Sequence, residues 1–597
     1  IAREGGISPL VVLVREGTAV QKQNAASALG NLTNENAENC VATAREGGIS
    51  PLVTLLRNGT EKQTRFATYA LGNLAFDNEA NGAAIVRDEA ITPLVALVRT
   101  GTPKQKEDAA YALGTLAASN AAAIANEGVI SPLVELVRNG TDGQKQWAAY
   151  ALGCLATNDT NNCVVIAREG GIPPLVGLLR SGTVDQRQQA AAALANLAIE
   201  NDWNRVAIAR EGAIALFVML LRNGTEKQTQ YAACALGNLA LDNEANRAAI
   251  VRDEAITPLV ALVRTGTPKQ KEDAAYALGT LAASNAAAIA NEGAISPLVK
   301  LVRNGTDGQK QWAAYALGCL TVNDAENRIA IAREGGIPLL VGLLRTGTAG
   351  QKEQAAVALA NLTSENDRNR AAIARDGAIA PLVMLMRNGT EKQMQYAAYT
   401  LGNLASNNEA NQVEIIREGG IPPLVALLRT GTSTQKEEAA YAVGSLAITD
   451  ATTIADEGAI SPLVKLVRNG TDGQKQWAAY ALRFLTTNDA ENRVTIECEG
   501  GIPPLVELLR GGTAGQQQQA AAALANLASE NDRNCVAIAR EGGIPPLVKL
   551  ERTGTDKQKE YAASALQNLA KNEISSAAIA RQRVASRGAL RHARFQM

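Results

Sequence analysis

Few side chains in this 597-residue chain suit bond-making chemistry. It holds one histidine, His592, so imidazole acid–base work or a histidine metal site is poorly supported, and no catalytic or metal-binding residue is assigned. Glycine pairs fall between helical segments, with no strand before them and no Gly-Lys-Ser/Thr after, so no phosphate loop or cofactor is expected. What recurs is the chemistry of recognition. Trp147, Trp312 and Trp477 each stand three residues before a tyrosine, Tyr150, Tyr315 and Tyr480. The segment before each pair carries Tyr111, Tyr276 or Tyr441, together with an acid pair, Glu107/Asp108, Glu272/Asp273 or Glu437/Glu438. Acid beside Trp and Tyr suits basic or aromatic side chains of a bound segment. The competing assignment packs these rings between neighbouring segments. Asparagine also recurs just before a leucine, at Asn31, Asn73, Asn196, Asn238, Asn361, Asn403, Asn526 and Asn568. Its amide both donates and accepts hydrogen bonds.

The elements that must position these residues are repeated. A register isoleucine falls at Ile7, Ile49, Ile91, Ile130, Ile172, Ile214, Ile256, Ile295, Ile337, Ile379, Ile421, Ile460, Ile502 and Ile544. The steps are 42 residues except three of 39, and the short ones recur every 165 residues. Periods of this size mean a helical solenoid, here built from duplicated four-repeat blocks. In the second unit, Asn39–Glu46 reads as a short first helix closed by Gly47-Gly48, where glycine supplies the positive φ of a sharp turn. Pro51 opens a second helix, tolerated in a first turn that has no N–H partner to lose. Thr60 then caps a third helix and Gln63 completes a capping box, and Thr-x-x-Gln is present in all fourteen units. Ala67, Ala70, Leu71 and Leu74 give that helix one buried face. The Asn-Gly-Thr triplets at Asn58, Asn139, Asn223, Asn304, Asn388 and Asn469 match a glycosylation sequon but read better as the turn into this helix. The composition agrees: 46% hydrophobic, 3% aromatic, formal charge −1. Nothing in that balance suggests nucleic acid or a membrane surface.

The pattern Ile-Ala-Arg-Glu-Gly-Gly-Ile-Pro-Pro-Leu-Val, followed by Gly-Thr-x-x-Gln and Ala-Leu-x-Asn-Leu-Ala, resembles the armadillo repeat over residues 1–570. The resemblance implies an all-α fold, a right-handed armadillo superhelix (an α-solenoid) of three-helix units whose third helices line a concave face. It further implies a peptide-binding groove in which the recurrent asparagines grip a partner's backbone. A hydrogen bond between helices inside the stack is the alternative use of those amides. Six units carry Thr115, Cys154, Thr280, Cys319, Ser445 and Phe484 at the asparagine position instead. The groove is therefore expected to alternate, with asparagine-bearing pairs separated by aromatic, acid-flanked pairs.

Seven cysteines without a CxxC pair point to a reducing cytosolic or nuclear compartment. Ile1 falls inside the first helix of the first unit, so the chain reads as a fragment or as lacking an N-terminal cap. Residues 571–597 read as an irregular basic tail. The function expected is a non-enzymatic scaffold whose partners are extended or helical segments of other proteins. A nuclear-import adaptor, a membrane-tethering scaffold needing a partner or a missing N-terminal anchor, and an architectural spacer are the alternatives. Oligomeric state is left open.

Overall fold

The computed structural model describes residues 5–157, 159–487 and 489–595. Regular structure among them is entirely helical, in forty helices. The chain divides into two compact units, Ile1–Leu298 and Val299–Met597, and each is an α-solenoid of the same three-helix repeat. Within each unit, successive third helices pack side by side and form one layer, as Glu61–Ala75 does on Ala19–Thr33 and on Pro103–Asn126. Second helices such as Ile49–Asn58 cover that layer from one side, burying Ile49, Leu52, Val53, Leu55 and Leu56. Third helices meet through small side chains: Ala67, Ala70 and their equivalents Ala109, Ala112, Ala148 and Ala151 are fully buried. No helix could bury such a face alone, so stability comes from stacking.

The capping glutamine ties the stack together. Each of the fourteen third helices begins with a Thr/Gln capping box. In the second unit Gln63 Oε1 accepts from the Thr60 N–H at 2.9 Å. Its Nε2 donates in turn to the carbonyl of Ala19, the first residue of the preceding third helix, at 2.7 Å. The same donation recurs in twelve units among the described residues, at 2.7 to 3.2 Å. One amide thus satisfies an orphan donor at one helix end and an N-terminal carbonyl of its neighbour.

Two further ties hold the outer helices. Asn81 Nδ2 donates to the carbonyl of Leu74, and Asn162, Asn204, Asn246 and others repeat the bond, fastening the first helix to the end of the third. The arginine in the last turn of the second helix caps the following first helix, as when Arg99 donates to the carbonyls of Glu127 and Gly128. Some of these arginines also pair with the acids of the turns they cap. Arg57–Glu89 and Arg222–Glu254 do so, while most bind carbonyls. Glycine closes the first helix at φ of 70 to 81°, but Glu89 and Glu254 take the same left-handed turn at φ 58 and 60°.

The 39-residue steps lose a connection rather than a layer. Third and first helices run together as Pro103–Asn126 and Pro268–Asn291, bent where Asn120 and Asn285 leave helical geometry. In the third block the first helix shrinks to Ala451–Asp456. The C-terminal segment departs from expectation. Glu573–Phe595 is one helix rather than an irregular tail, and its start packs on the last unit through buried Ser575 and Ile579. Arg583 pairs with Glu551 at 2.8 Å. The side chains of Arg587, Arg591, His592 and Arg594 lie outside the described residues.

Gln228 Nε2 reaches the Val184 carbonyl at 2.8 Å while its Oε1 caps Thr225. Gln228→Ala removes the tie to a part-buried helical carbonyl and leaves the Thr225 N–H at the helix start without its side-chain acceptor, and is expected to cost about 1 kcal/mol. Urea denaturation should show an earlier transition, with hydrogen exchange accelerated first around Glu226–Ala240. Gln21 is exposed and makes no such cross-unit bond among the described residues, so its loss should cost less.

Candidate functional site

The face of the third-helix layer is built in columns, because each unit places the residue at a given distance from the capping threonine beside its counterparts. The column six residues past the threonine reads Phe66, Asp108, Trp147 in the first block and Tyr396, Glu438, Trp477 in the third. Three residues on, the next column carries the tyrosines. Most tyrosines there stand against a glycine on the preceding third helix, while Tyr399 has Ala360 in that place. A Cβ on Gly72 would lie 2.9 Å from the Tyr111 ring, one on Gly114 2.6 Å from Tyr150, and one on Gly402 2.7 Å from Tyr441.

The aromatic residues cluster as their spacing indicates. Tyr111 and Trp147 lie 4.6 Å apart between ring centroids, and Trp147 meets Tyr150 edge-on at 5.7 Å. Trp312–Tyr315 repeats that edge contact at 5.7 Å. Tyr441–Trp477, Trp477–Tyr480 and Tyr480–Phe484 extend it at 4.6, 5.6 and 4.8 Å. All these rings are half-buried: each packs against a neighbour and keeps part of its surface in solvent. Burial pushes the Tyr111 and Tyr150 hydroxyls well above the usual phenol range.

The asparagines are not equivalent, which corrects the expectation of eight amides facing a partner. Asn73 Nδ2 donates to the Gly30 carbonyl at 2.9 Å, and its Oδ1 accepts from the Tyr111 hydroxyl at 3.0 Å. Asn238 bridges Ala195 and Tyr276 in the same way, and Asn403 bridges Thr363 and Tyr441. These three are buried, and both ends of the amide are used inside the stack. Asn196, Asn361, Asn526 and Asn568 also commit Nδ2 to a preceding helix, but they are half-buried and their Oδ1 accepts from no side chain among the described residues. Asn31 is exposed.

The acid pairs divide as well. Asp108 is buried and held by Arg65 at 3.3 Å and Lys104 at 3.7 Å, while Lys104 also pairs with Glu107. Asp273 is held by Lys269 at 3.6 Å, and Lys269 pairs with Glu272. These acids already own a cation, so the expectation that they await a partner's basic side chain is corrected. Burial still pushes Asp108 and Asp273 up to about 6 against the pull of those cations. The third block differs: Thr434 replaces Lys104 and Lys269, and Gln395 replaces Arg65. Burial pushes the half-buried Glu438 carboxyl up to about 7, with Glu437 adding to it. Glu437 itself lies over Gly473 at the start of the following third helix.

Six segments match the model of the Armadillo/beta-catenin-like repeat: residues 159–199, 201–241, 324–364, 407–448, 499–529 and 531–571. The chain is an armadillo-type repeat protein. Armadillo repeats are in general protein-interaction scaffolds. Among solved structures, the crystal structure of an engineered protein is similar at 29% identity, covering 74% of this chain and 98% of that one, with a TM-score of 0.47. No curated protein matches the chain.

Two features escape sequence reasoning at the level of the armadillo pattern. Trp203, on the outer first helix Asp202–Arg210, is 88% exposed; Arg368 and Arg533 occupy its place in the later blocks. Arg483 stands where the earlier blocks have Gly153 and Gly318. A break in the 165-residue period flags both. The cysteines are free, and Cys40, Cys163 and Cys535 are buried. Among the described residues no group of three or more His, Cys, Asp or Glu could hold a metal ion, and no helix is long and apolar enough to cross a membrane.

The Glu438 carboxyl has a raised pKa, so the folded state binds its proton more tightly than the unfolded chain. Its contribution therefore favours folding at acid pH and is lost as pH rises through about 7. Thr434→Lys, which restores the cation of the other blocks, and Glu438→Gln should each raise stability at pH 8 by on the order of 1–3 kcal/mol. Neither should gain at pH 4. Denaturation curves at the two pH values check both.

Proposed function

We propose that this armadillo protein is a non-enzymatic scaffold that binds extended segments of other proteins along its third-helix face. The observation that carries the reading is the set of half-buried rings flanked by half-buried polar groups. Trp147 and Tyr150, and Trp477 and Tyr480 beside Glu437 and Glu438, offer wide, stiff surfaces with polar neighbours that orient a bound chain. Such residues dominate binding energy at interfaces, because rings cover much area at small entropic cost. Asn196, Asn361 and Asn526, at intervals of 165 residues, supply half-buried amides whose oxygens accept from no side chain among the described residues, suited to a partner's backbone N–H. Binding rests on the regions between the buried, stack-bridging asparagines. This reading keeps the alternation expected from the sequence and moves its polar element from eight asparagines to the half-buried ones.

Panning a random peptide display library on the intact chain tests the proposal. Selected peptides should lose at least roughly tenfold in affinity for the triple variant Asn196→Ala, Asn361→Ala, Asn526→Ala, about one charge-free hydrogen bond per site. The variant's helicity should match wild type. Undiminished affinity, in the triple variant or with Asn568→Ala added, takes the third-helix face out of the account.

A further inference from the structure

The third block contains an arginine bound in the face by its own chain. Arg483 reaches two units along the layer. Its Nη2 donates to the Tyr561 hydroxyl at 3.0 Å, and its Nη1 approaches Gln519 Oε1 at 3.5 Å. The guanidinium lies 4.5 Å from the centroid of the Tyr561 ring and 4.9 Å from that of Phe484. A planar cation over one aromatic face, with its edge hydrogen-bonded to a hydroxyl and an amide oxygen, is an arrangement that arginine fills and lysine does not.

The receiving side of this arrangement is repeated. Gln519 and Tyr561 recur 165 residues earlier as Gln354 and Tyr396, and again as Gln189 and Tyr231. The donor is not repeated: the position of Arg483 is Gly318 in one copy and Gly153 in the other. The usual reason for glycine in this column is a ring from the next unit, but here the next unit has Val357 or Ala192. A Cβ on Gly153 or Gly318 would meet only an alanine backbone and methyl at 3.3 to 3.4 Å, a contact that small shifts relieve. Charge favours a cation too. Burial raises the Tyr396 hydroxyl, and Cys319, Glu353 and Glu438 raise it further, which places two acids near that ring. Cys154 and Asp273 act on Tyr231 in the same sense, after burial, although Lys269 already pairs with that Asp273, so charge favours a cation less at this site. The Tyr231 and Tyr396 hydroxyls have no donor equivalent to Arg483 among the described residues.

We infer that the Gln189/Tyr231 and Gln354/Tyr396 sites each take an arginine side chain from a partner protein, with Arg483 marking the third site as permanently self-filled. The inference rests on the third-helix face being the binding surface and names the partner's chemistry there: extended segments carrying arginine.

Titration of the intact chain with fluorescein-labelled Gly-Ser-Arg-Ser-Gly, and with its lysine and citrulline counterparts, tests this at low salt. The arginine peptide should bind roughly fivefold or more tighter than either counterpart. The double variant Gly153→Arg, Gly318→Arg, which copies the self-filled site, should abolish that preference, and Arg483→Gly should raise the number of peptides bound from two to three. If the glycine variant loses helicity, Gln189→Ala with Gln354→Ala decides, by a loss of roughly threefold. Equal binding of arginine and lysine peptides, or unchanged binding by the variants, overturns the inference. Display-selected peptides that bind the face without arginine would leave the scaffold reading intact while overturning this one.

Discussion

The capping glutamine is the interaction on which the rest of the structure depends. An isolated capping box stabilises one helix end. Here the same amide also donates to the first carbonyl of the preceding third helix, so helix start and helix spacing are fixed together. Third helices therefore begin in register, and residues at a given distance from the threonine fall into columns. Without that alignment the ring of Tyr111 would not meet Gly72, nor would Asn73 lie between Gly30 and Tyr111.

Once columns exist, each is an independent choice between filling space and leaving a surface. Alanine columns close the stack. Glycine admits a tyrosine, whose hydroxyl then locks a buried asparagine. Acid columns are neutralised from within where Lys104 and Lys269 are present, and stand beside solvent where Thr434 replaces them. Duplicated blocks share a backbone and differ in which cation, ring or small residue each column receives. The blocks part company at departures from the period, and Gly318 against Arg483 is one of them.

Much of this was legible in the sequence, because the signals were local and repeated fourteen times. Thr-x-x-Gln fixed the third-helix start, Gly-Gly marked the turn, and the 39-residue steps located the units in which third and first helices merge through a bend at Asn120 and Asn285. The site was read less well for a physical reason. An amide's chemistry is the same whether it faces a partner or a neighbouring carbonyl, and burial beneath the Tyr276 hydroxyl is what separates Asn238 from Asn196. Asp108 was likewise read as available although Lys104 stands four residues before it on the same helix; its other partner, Arg65, lies 43 residues away in the chain. The C-terminal helix was missed because Ser575 and Ile579 are buried by packing on the last unit rather than by a repeat of their own.

Amide hydrogen exchange over the intact chain, with and without a display-selected peptide, tests the central claim most directly. The account predicts slowed exchange in third helices such as Asp142–Ala156 and Asp472–Leu485, with second helices such as Ile172–Ser181 and Ile502–Gly511 unchanged. Protection confined to the second or first helices would contradict it.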